Sequence, residues 1–325
     1  MKKILKIVAY AFGVVILLIV LLLTYVKTML PSVGEAPNMK IEINHDRIEH
    51  GRYLANHVMV CIDCHSKRDW SLFSGPPLAG TEGKGGEVFD QKLGFPGKYV
   101  ASNITPFNLG KWTDGEFFRA ITSGVSKDGR ALFTIMPHQN YGQLDKSDIE
   151  AVIAYIRSLE PIKNETEKSH SDFPMNFIIN TIPKKAKFIE IPSKSDAINY
   201  GKYLVTASGC MDCHTKQVKG KFVGELFAGG FEFKFQDGSV VNSSNITPDK
   251  ATGIGSWTKE QFITRFKMYA DSSYKHTDVK AGEFQTPMPW TMYAGMSTED
   301  LTAVYEYLNN LKPVENSIIK FVPVK

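Results

Sequence analysis

Cysteine is scarce in this chain of 325 residues, which contains four, and all four lie in two short clusters. So few cysteines exclude a small secreted fold held together by disulfides. Net charge is also small, because 38 Lys and Arg stand against 34 Asp and Glu, a balance of +4. Lys2, Lys3, Lys6 and Lys27 account for that excess. The rest of the chain is therefore neutral, and we expect no nucleic-acid partner, since phosphate binding needs a basic face.

Long hydrophobic runs are rare as well, and the run at residues 7–26 contains no charged residue. About 20 apolar residues span a bilayer as a helix, and the lysines before the run predict a cytoplasmic N-terminus. A cleaved signal peptide is the alternative, but residues 24–30 contain no small-residue cleavage site. We therefore expect residues 1–30 to be a retained lipid-embedded anchor that crosses the cytoplasmic membrane once, with the soluble domains facing the periplasm.

The remaining sequence carries the same motifs twice in the same order, which indicates an internal repeat. Gly-x-Tyr-Leu is followed by Cys-x-x-Cys-His, then by Ser-Asn-Ile-Thr-Pro, by Trp-Thr, and by Met-Pro before a final helix. The paired motifs begin at residues 51 and 201, 61 and 210, 102 and 244, 112 and 257, and 136 and 288. With 43% hydrophobic residues and a length that suits about two domains, the chain is predicted to fold as two tandem units.

Helical periodicity dominates the secondary-structure prediction. Apolar residues recur at helical spacing in residues 149–159 and 301–311, and a proline follows each segment. Strands are sparse: residues 231–241 predict a hairpin in the second copy only, whereas the glycine-rich residues 80–97 predict a loop in the first. We therefore expect an all-α fold.

The repeat also sets the expected domain boundaries. The first domain is placed at residues 40–162 and the second at residues 196–325. Residues 163–195 are rich in Lys, Ser, Asn and Pro without sustained periodicity, and they predict a linker that partly packs on the domains.

Each Cys-x-x-Cys-His motif has the residue types that attach a haem. Two thiols on one helical turn can each add to a vinyl group, and the adjacent histidine can bind the iron. A structural zinc site needs four ligands and each cluster supplies three, a thioredoxin-like pair expects a βαβ context, and disulfides leave the histidines unexplained. We predict two covalently bound haem c groups. The attaching residues are Cys61, Cys64 and His65 for one group, and Cys210, Cys213 and His214 for the other.

A sixth iron ligand must come from elsewhere in each copy. Met136 lies 71 residues after His65, and Met288 lies 74 residues after His214, each at the same repeat position before a proline. A thioether sulfur favours the reduced iron and so raises its potential. Methionine is more often core filler. The equivalent repeat position before proline nevertheless predicts that Met136 and Met288 are the sixth ligands. The rival side chains are Met292, Met296, His138 and His276, of which Met296 matches Leu144, a residue that cannot bind iron.

These motifs together resemble the class I cytochromes c, and specifically the membrane-anchored bacterial dihaem cytochromes c with two tandem domains. The resemblance covers residues 45–315 nearly completely, through both Cys-x-x-Cys-His motifs, both Ser-Asn-Ile-Thr-Pro segments and both Met-Pro elements. It implies an all-α fold in which the first and last helices of each domain cross near the haem. It also implies electron transfer outside the cytoplasm, as the cytochrome subunit of a dehydrogenase or as a donor to an oxidase. Dehydrogenase-linked relatives often carry three haems, whereas this chain has two motifs.

Two functions from different classes remain open at this stage. The leading hypothesis is an electron carrier, not an enzyme, in which both irons are six-coordinate and pass electrons from a dehydrogenase or quinol-oxidising complex to a terminal oxidase or other acceptor. The alternative is a dihaem enzyme such as a c-type peroxidase, which needs an open iron position and acid–base side chains above it. Methionine at both sixth positions argues against the enzyme.

Overall fold

The structure, a computed structural model, describes residues 1–324. It begins with a long helix, α1 (Lys2–Thr28), none of whose residues is buried. Its mean hydropathy reaches 3.0, and among the described residues it is the one helix long and apolar enough to cross a membrane. The helix covers the segment that the sequence predicts as an anchor.

The first half of the remaining chain is built on two helices that pack against each other, α2 (His45–Tyr53) and α7 (Lys146–Ser158). Asn44 caps α2 and Asp145 caps α7, each accepting a backbone N–H at the start of its helix. A π-helical turn, Leu54–Val58, extends α2. The shorter helices between them are α3 (Cys61–Cys64), α4 (Pro106–Leu109), α5 (Asp114–Ser123) and α6 (His138–Tyr141).

Residues 163–195 connect the halves and contain one short helix, α8 (Met175–Ile178), followed by a 3-10 turn, Ile179–Thr181. The second half then repeats the first. Its packed pair is α9 (Ala197–Ala207) and α13 (Thr298–Asn309), and the helices between them are α10 (Cys210–Cys213), α11 (Lys259–Lys267) and α12 (Trp290–Tyr293).

In each helix pair a glycine allows the two helices to approach each other closely. A Cβ on Gly51 of α2 would lie 1.8 Å from the backbone oxygen of Ala151 in α7, and a Cβ on Gly201 of α9 would lie 1.9 Å from that of Ala303 in α13. No side chain fits at such a distance, so the glycine of each Gly-x-Tyr-Leu motif sets the helix crossing. The first and last helices of each half therefore pack closely against each other, whereas their crossing near a haem stays a prediction.

Short antiparallel strands make the all-α prediction too simple. Across residues 1–324 they form three small sheets, of order β1–β2–β3, β4–β5 and β6–β7–β8. The strands are β1 (Val88–Phe89), β2 (Gly97–Val100), β3 (His170–Ser171), β4 (Gln217–Val218), β5 (Lys221–Phe222), β6 (Glu232–Lys234), β7 (Val240–Asn242) and β8 (Phe321–Val322).

The hairpin predicted at residues 231–241 is present as β6 and β7, with Phe233 opposite Val241. The prediction of a hairpin in the second copy only is wrong, because β1 and β2 pair in the first, with Phe89 opposite Tyr99. The glycines of the β1–β2 segment obscure the alternation of apolar and polar residues that predicts a strand. The backbone hydrogen bonds between the two strands form without that alternation. In both halves a strand that follows the last helix, β3 or β8, completes the sheet.

Crossed hydrogen bonds join the halves with approximate twofold symmetry. Tyr53 of α2 donates to the Asp300 carboxylate at the start of α13, and Tyr203 of α9 donates to Asp148 at the start of α7. Both aspartates are buried, at 3% exposure. Burial raises the pKa of both tyrosines, so they remain neutral donors. The tyrosine of each Gly-x-Tyr-Leu motif thus binds the opposite half.

Candidate haem sites

Each Cys-x-x-Cys segment forms a single helical turn that places its two thiols on one side. Cys61 and Cys64 lie on α3, Cys210 and Cys213 on α10, and residues three apart on a helix share a face. A left-handed residue precedes each turn, Val60 with φ 47° and Gly209 with φ 64°. The two turns therefore start with the same backbone geometry.

All four thiols are free rather than paired in disulfides. Burial raises the pKa of Cys61, Cys64 and Cys210 to about 12, so these thiols are protonated at neutral pH, whereas Cys213 is exposed. Among residues 1–324 no cluster of three or more His, Cys, Asp or Glu side chains is arranged to hold a metal ion. The zinc and disulfide interpretations of the motif therefore lack support in the geometry.

The two motif histidines are oriented in the same way. Nδ1 of His65 donates to the Ser102 carbonyl oxygen at 2.7 Å, and Nδ1 of His214 donates to the Ser244 carbonyl oxygen at 2.7 Å. A carbonyl can only accept, so the proton is on Nδ1 and the lone pair is on Nε2. Burial lowers the pKa of both histidines, which keeps the rings neutral. This is the usual arrangement of an iron-binding histidine held by a second hydrogen bond.

The Ser-Asn-Ile-Thr-Pro segments supply those carbonyl groups. Asn103 accepts from the N–H and hydroxyl of Thr105 at 2.9 and 2.7 Å, and Asn245 accepts from Thr247 at the same two distances. Each asparagine also donates to backbone carbonyls beyond the last helix of its half. The sequence identifies these segments as repeats without a role, and the structure gives them one: they fix the carbonyl that orients each histidine.

Met136 and Met288 occupy equivalent, half-buried positions against the core. The Met136 carbonyl accepts from the N–H of His138 at 2.7 Å, and the Met288 carbonyl accepts from the N–H of Trp290 at 2.8 Å. A short helix begins after each Met-Pro pair, and its tyrosine, Tyr141 or Tyr293, donates to the backbone just before the Cys-x-x-Cys turn of the same half. That bond ties the methionine segment to the haem-attachment segment.

The rival ligands lie in different surroundings. Met292 and Met296 are buried in the core, at 9% and 2% exposure, whereas His276 is exposed. His138 is buried at 1% exposure, and neither of its ring nitrogens has a hydrogen-bond partner among residues 1–324. Burial lowers the pKa of His138 to about 4, so the ring is neutral. In the second half Trp290 takes the equivalent place after Met-Pro.

The aspartate inside each motif has different partners in the two halves. Asp63 pairs with Arg68 at 3.1 Å, with both side chains 4% exposed, and burial raises the pKa of Asp63 to about 6. Asp212 instead accepts from Asn140, a residue of the first half, at 2.5 Å. The two sites are therefore not electrostatically equivalent.

The donor set fits a covalently attached haem in each half. Two protonated thiols on one turn can form thioethers, a neutral histidine offers Nε2, and a methionine offers sulfur. Haem c, when bound, supplies an iron that alternates between the ferrous and ferric states. The carbonyl groups of Ser102 and Ser244 hold the histidine tautomer.

Comparisons with known proteins agree with this chemistry. Residues 198–312 match the cytochrome c family. The alcohol dehydrogenase (quinone) cytochrome c subunit of Gluconacetobacter polyoxogenes is 25% identical over 83% of this chain and 57% of its own length. The gluconate 2-dehydrogenase cytochrome c subunit of Pantoea cypripedii is 24% identical over 83% of the chain and 60% of its own length. A dihaem cytochrome c-type protein of Cereibacter sphaeroides is 26% identical over 48% of the chain and 53% of its own length.

This chain thus spans 57% and 60% of the length of these two dehydrogenase-associated relatives. The family match covers the half that contains α9, α10 and α13. Residues 198–312 therefore form a cytochrome c domain, the kind of domain that holds a covalent haem c.

Proposed function

We propose that the chain carries two covalent haem c groups, one in each of two tandem cytochrome c domains at residues 40–162 and 196–325. Each haem is attached by the two cysteines and bound through the histidine of its motif, with Met136 or Met288 as the sixth ligand. The observation that carries this proposal is the matching 2.7 Å hydrogen bond from each motif histidine to a serine carbonyl. The first half lies outside the family match but reproduces this geometry with the same residue types.

The proposed function is electron transfer. Both irons are six-coordinate in this proposal, and no substrate binds to either iron. Histidine and methionine ligation suits a carrier, because both ligands remain in place in both oxidation states. The dihaem peroxidase alternative needs an open position and an acid–base group. His138 is a histidine near a proposed sixth position, but its ring is buried and neutral.

Carbon monoxide distinguishes the carrier from the peroxidase. The reduced full-length protein is expected to bind almost none, because methionine occupies the sixth position in both halves. Met136→Ala and Met288→Ala should each open the sixth position of one iron and allow carbon monoxide to bind to that haem. Stoichiometric binding of carbon monoxide by the unmodified protein would favour the peroxidase instead.

The redox partners are proposed from the relatives, several of which are cytochrome subunits of dehydrogenases. By that analogy the donor is a dehydrogenase or quinol-oxidising complex and the acceptor a terminal oxidase or another carrier. The chain after residue 27 has no net charge. We therefore expect no strong long-range electrostatic steering of redox partners.

The location is proposed to be the periplasmic face of the cytoplasmic membrane, with α1 as a single-pass anchor. The end of α1 contacts the segment between the halves: Asn180 donates to the Val26 carbonyl at 3.3 Å, and Lys27 lies 5.9 Å from the Phe177 ring centroid. These contacts support the proposal, because they join the end of the apolar helix to the segment between the halves.

Deletion tests the anchor. Replacing residues 1–30 by a cleavable export signal should release a soluble protein with its haems attached, whereas the full-length chain should remain with the membrane fraction. A full-length product that is soluble and begins near residue 30 would contradict a retained anchor.

A further inference from the structure

A loop of the first half packs onto the methionine segment of the second half. This bridging loop, residues 69–75, follows the first haem-attachment motif. Its backbone pairs with the second half, since Phe73 donates to the Thr277 carbonyl at 2.8 Å and the Val279 N–H donates to the Ser71 carbonyl at 2.7 Å. Motif spacing reflects the loop, because 37 residues separate His65 from Ser102 but 30 separate His214 from Ser244.

The loop ends at Ser74, which contacts the methionine segment directly. The Ser74 hydroxyl donates to the Met288 carbonyl oxygen at 2.5 Å and accepts from the Trp290 N–H at 3.1 Å. Ser74 is fully buried, at 0% exposure, and its φ of 69° is rare for a residue with a side chain. The hydroxyl of this first-half residue therefore acts as donor and as acceptor to the same segment of the second half.

Gln285 and Arg68 hold Ser74 in that position. Gln285 accepts from the Ser74 N–H at 2.8 Å and donates to the Leu72 carbonyl at 2.9 Å. Arg68 donates to the carbonyl groups of Ser74 and Gly75 at 2.9 and 2.7 Å while it pairs with Asp63 of the first attachment motif. A continuous set of buried polar contacts thus runs from the first motif to the Met288 segment.

The first half has no counterpart of this contact. Within the described residues the Met136 carbonyl accepts from the His138 N–H and from no side chain. The corresponding stretch of the second copy is seven residues shorter between the motif histidine and the serine, 30 residues against 37. The two methionine segments are therefore supported differently, although their own sequences repeat.

We propose that Ser74 is a positioning residue for Met288, so that methionine ligation of the second haem depends on a hydroxyl supplied by the first half. The proposal rests on the proposed function, in which Met288 is the sixth ligand. Loss of the hydroxyl leaves the Met288 carbonyl and the Trp290 N–H with only their mutual 2.8 Å hydrogen bond, and it removes the link that ties this segment to the first half.

Two substitutions in the full-length holoprotein test this role. Ser74→Ala and Ser74→Gly both remove the hydroxyl, and glycine also relieves the left-handed backbone. Each should halve the weak near-infrared sulfur-to-iron band of the ferric protein and allow carbon monoxide to bind one haem. Ser126→Ala is the control, a buried serine of the same half that bonds to Asp128 and Arg130 and, among residues 1–324, has no hydrogen bond to Met136 or Met288. It should leave the band intact.

Double variants assign the effect to one haem. Adding Ser74→Ala to Met136→Ala should raise carbon monoxide binding from one haem to both, whereas adding it to Met288→Ala should change nothing. A full band in both Ser74 variants, with half the band lost in Met288→Ala, would overturn the positioning role and leave the proposed function intact. An unchanged band in Met288→Ala would instead remove the ligand assignment, and the role of Ser74 with it.

Discussion

At the scale of single residues, the proposed sixth ligands Met136 and Met288 determine what we expect of the two haem potentials. Met288→His would replace a soft thioether with a nitrogen donor that favours the ferric ion. The potential of that haem should fall by a sizeable part of the about 0.8 V range that axial ligands span in haem proteins. The other haem should move much less in a redox titration.

The same titration on Met136→His is the matched comparison, since it should lower the other potential. If Met288→His leaves both potentials unchanged and Met292→His or Met296→His lowers one, the ligand assignment in the second half is wrong. If Met136→His is silent and His138→Ala changes one potential, His138 binds the first iron.

Another residue-scale prediction concerns pH. The hydrogen bond from His50 to Asp148 at 2.7 Å raises the pKa of His50 above 6.5. The folded protein therefore binds this proton more tightly than the unfolded chain, and the stabilisation is complete below pH 6.5 and lost as pH rises through the folded pKa. Urea midpoints of the holoprotein should fall between about pH 6 and about pH 8, and His50→Gln should weaken that fall.

His45→Gln is the control for this measurement, because His45 is exposed at the start of the same helix and has no carboxylate partner among the described residues. Its pH profile should match that of the unmodified protein. An unchanged pH dependence in His50→Gln would show that the His50–Asp148 pair contributes nothing to stability.

At the scale of the elements, the closest contacts are the helix crossings. Gly201→Ala would place a Cβ 1.9 Å from the Ala303 backbone oxygen, so α9 and α13 would have to separate. Overpacking of this kind costs about 1–3 kcal/mol, and more where backbone must move. Chemical unfolding should show the loss, and Lys202→Ala, at the next and exposed position, should not. Equal stability of the two variants would contradict a close-packed crossing.

The elements also show what local sequence determines. The Cys-x-x-Cys turns, the capped final helices and the β6–β7 hairpin follow from residues close together in the chain, and the sequence predicts them. The β1–β2 hairpin escapes prediction because its glycines give no alternating pattern. The strands β3 and β8 could not be predicted because each is only two residues long. Each forms a strand only by pairing with β2 or β7, which are distant in the sequence.

At the scale of the whole molecule, the contacts between the halves could not be predicted. Tyr53 and Tyr203 are visible in the sequence as repeat positions, but their aspartate partners lie 247 and 55 residues away. Ser74 belongs to no motif, and only the longer spacing between His65 and Ser102 hints at its loop. Candidate ligands could be proposed from local chemistry, whereas the carbonyl groups and hydroxyls that support them depend on the tertiary fold.

The most direct test of two covalent haems is the mass of the intact, unfolded chain after acid-acetone extraction of loosely held haem. The account predicts two haems on the unmodified protein, because thioether bonds survive these conditions, and one on either Cys61→Ala/Cys64→Ala or Cys210→Ala/Cys213→Ala. A single haem on the unmodified protein, or loss of all colour on extraction, would contradict it.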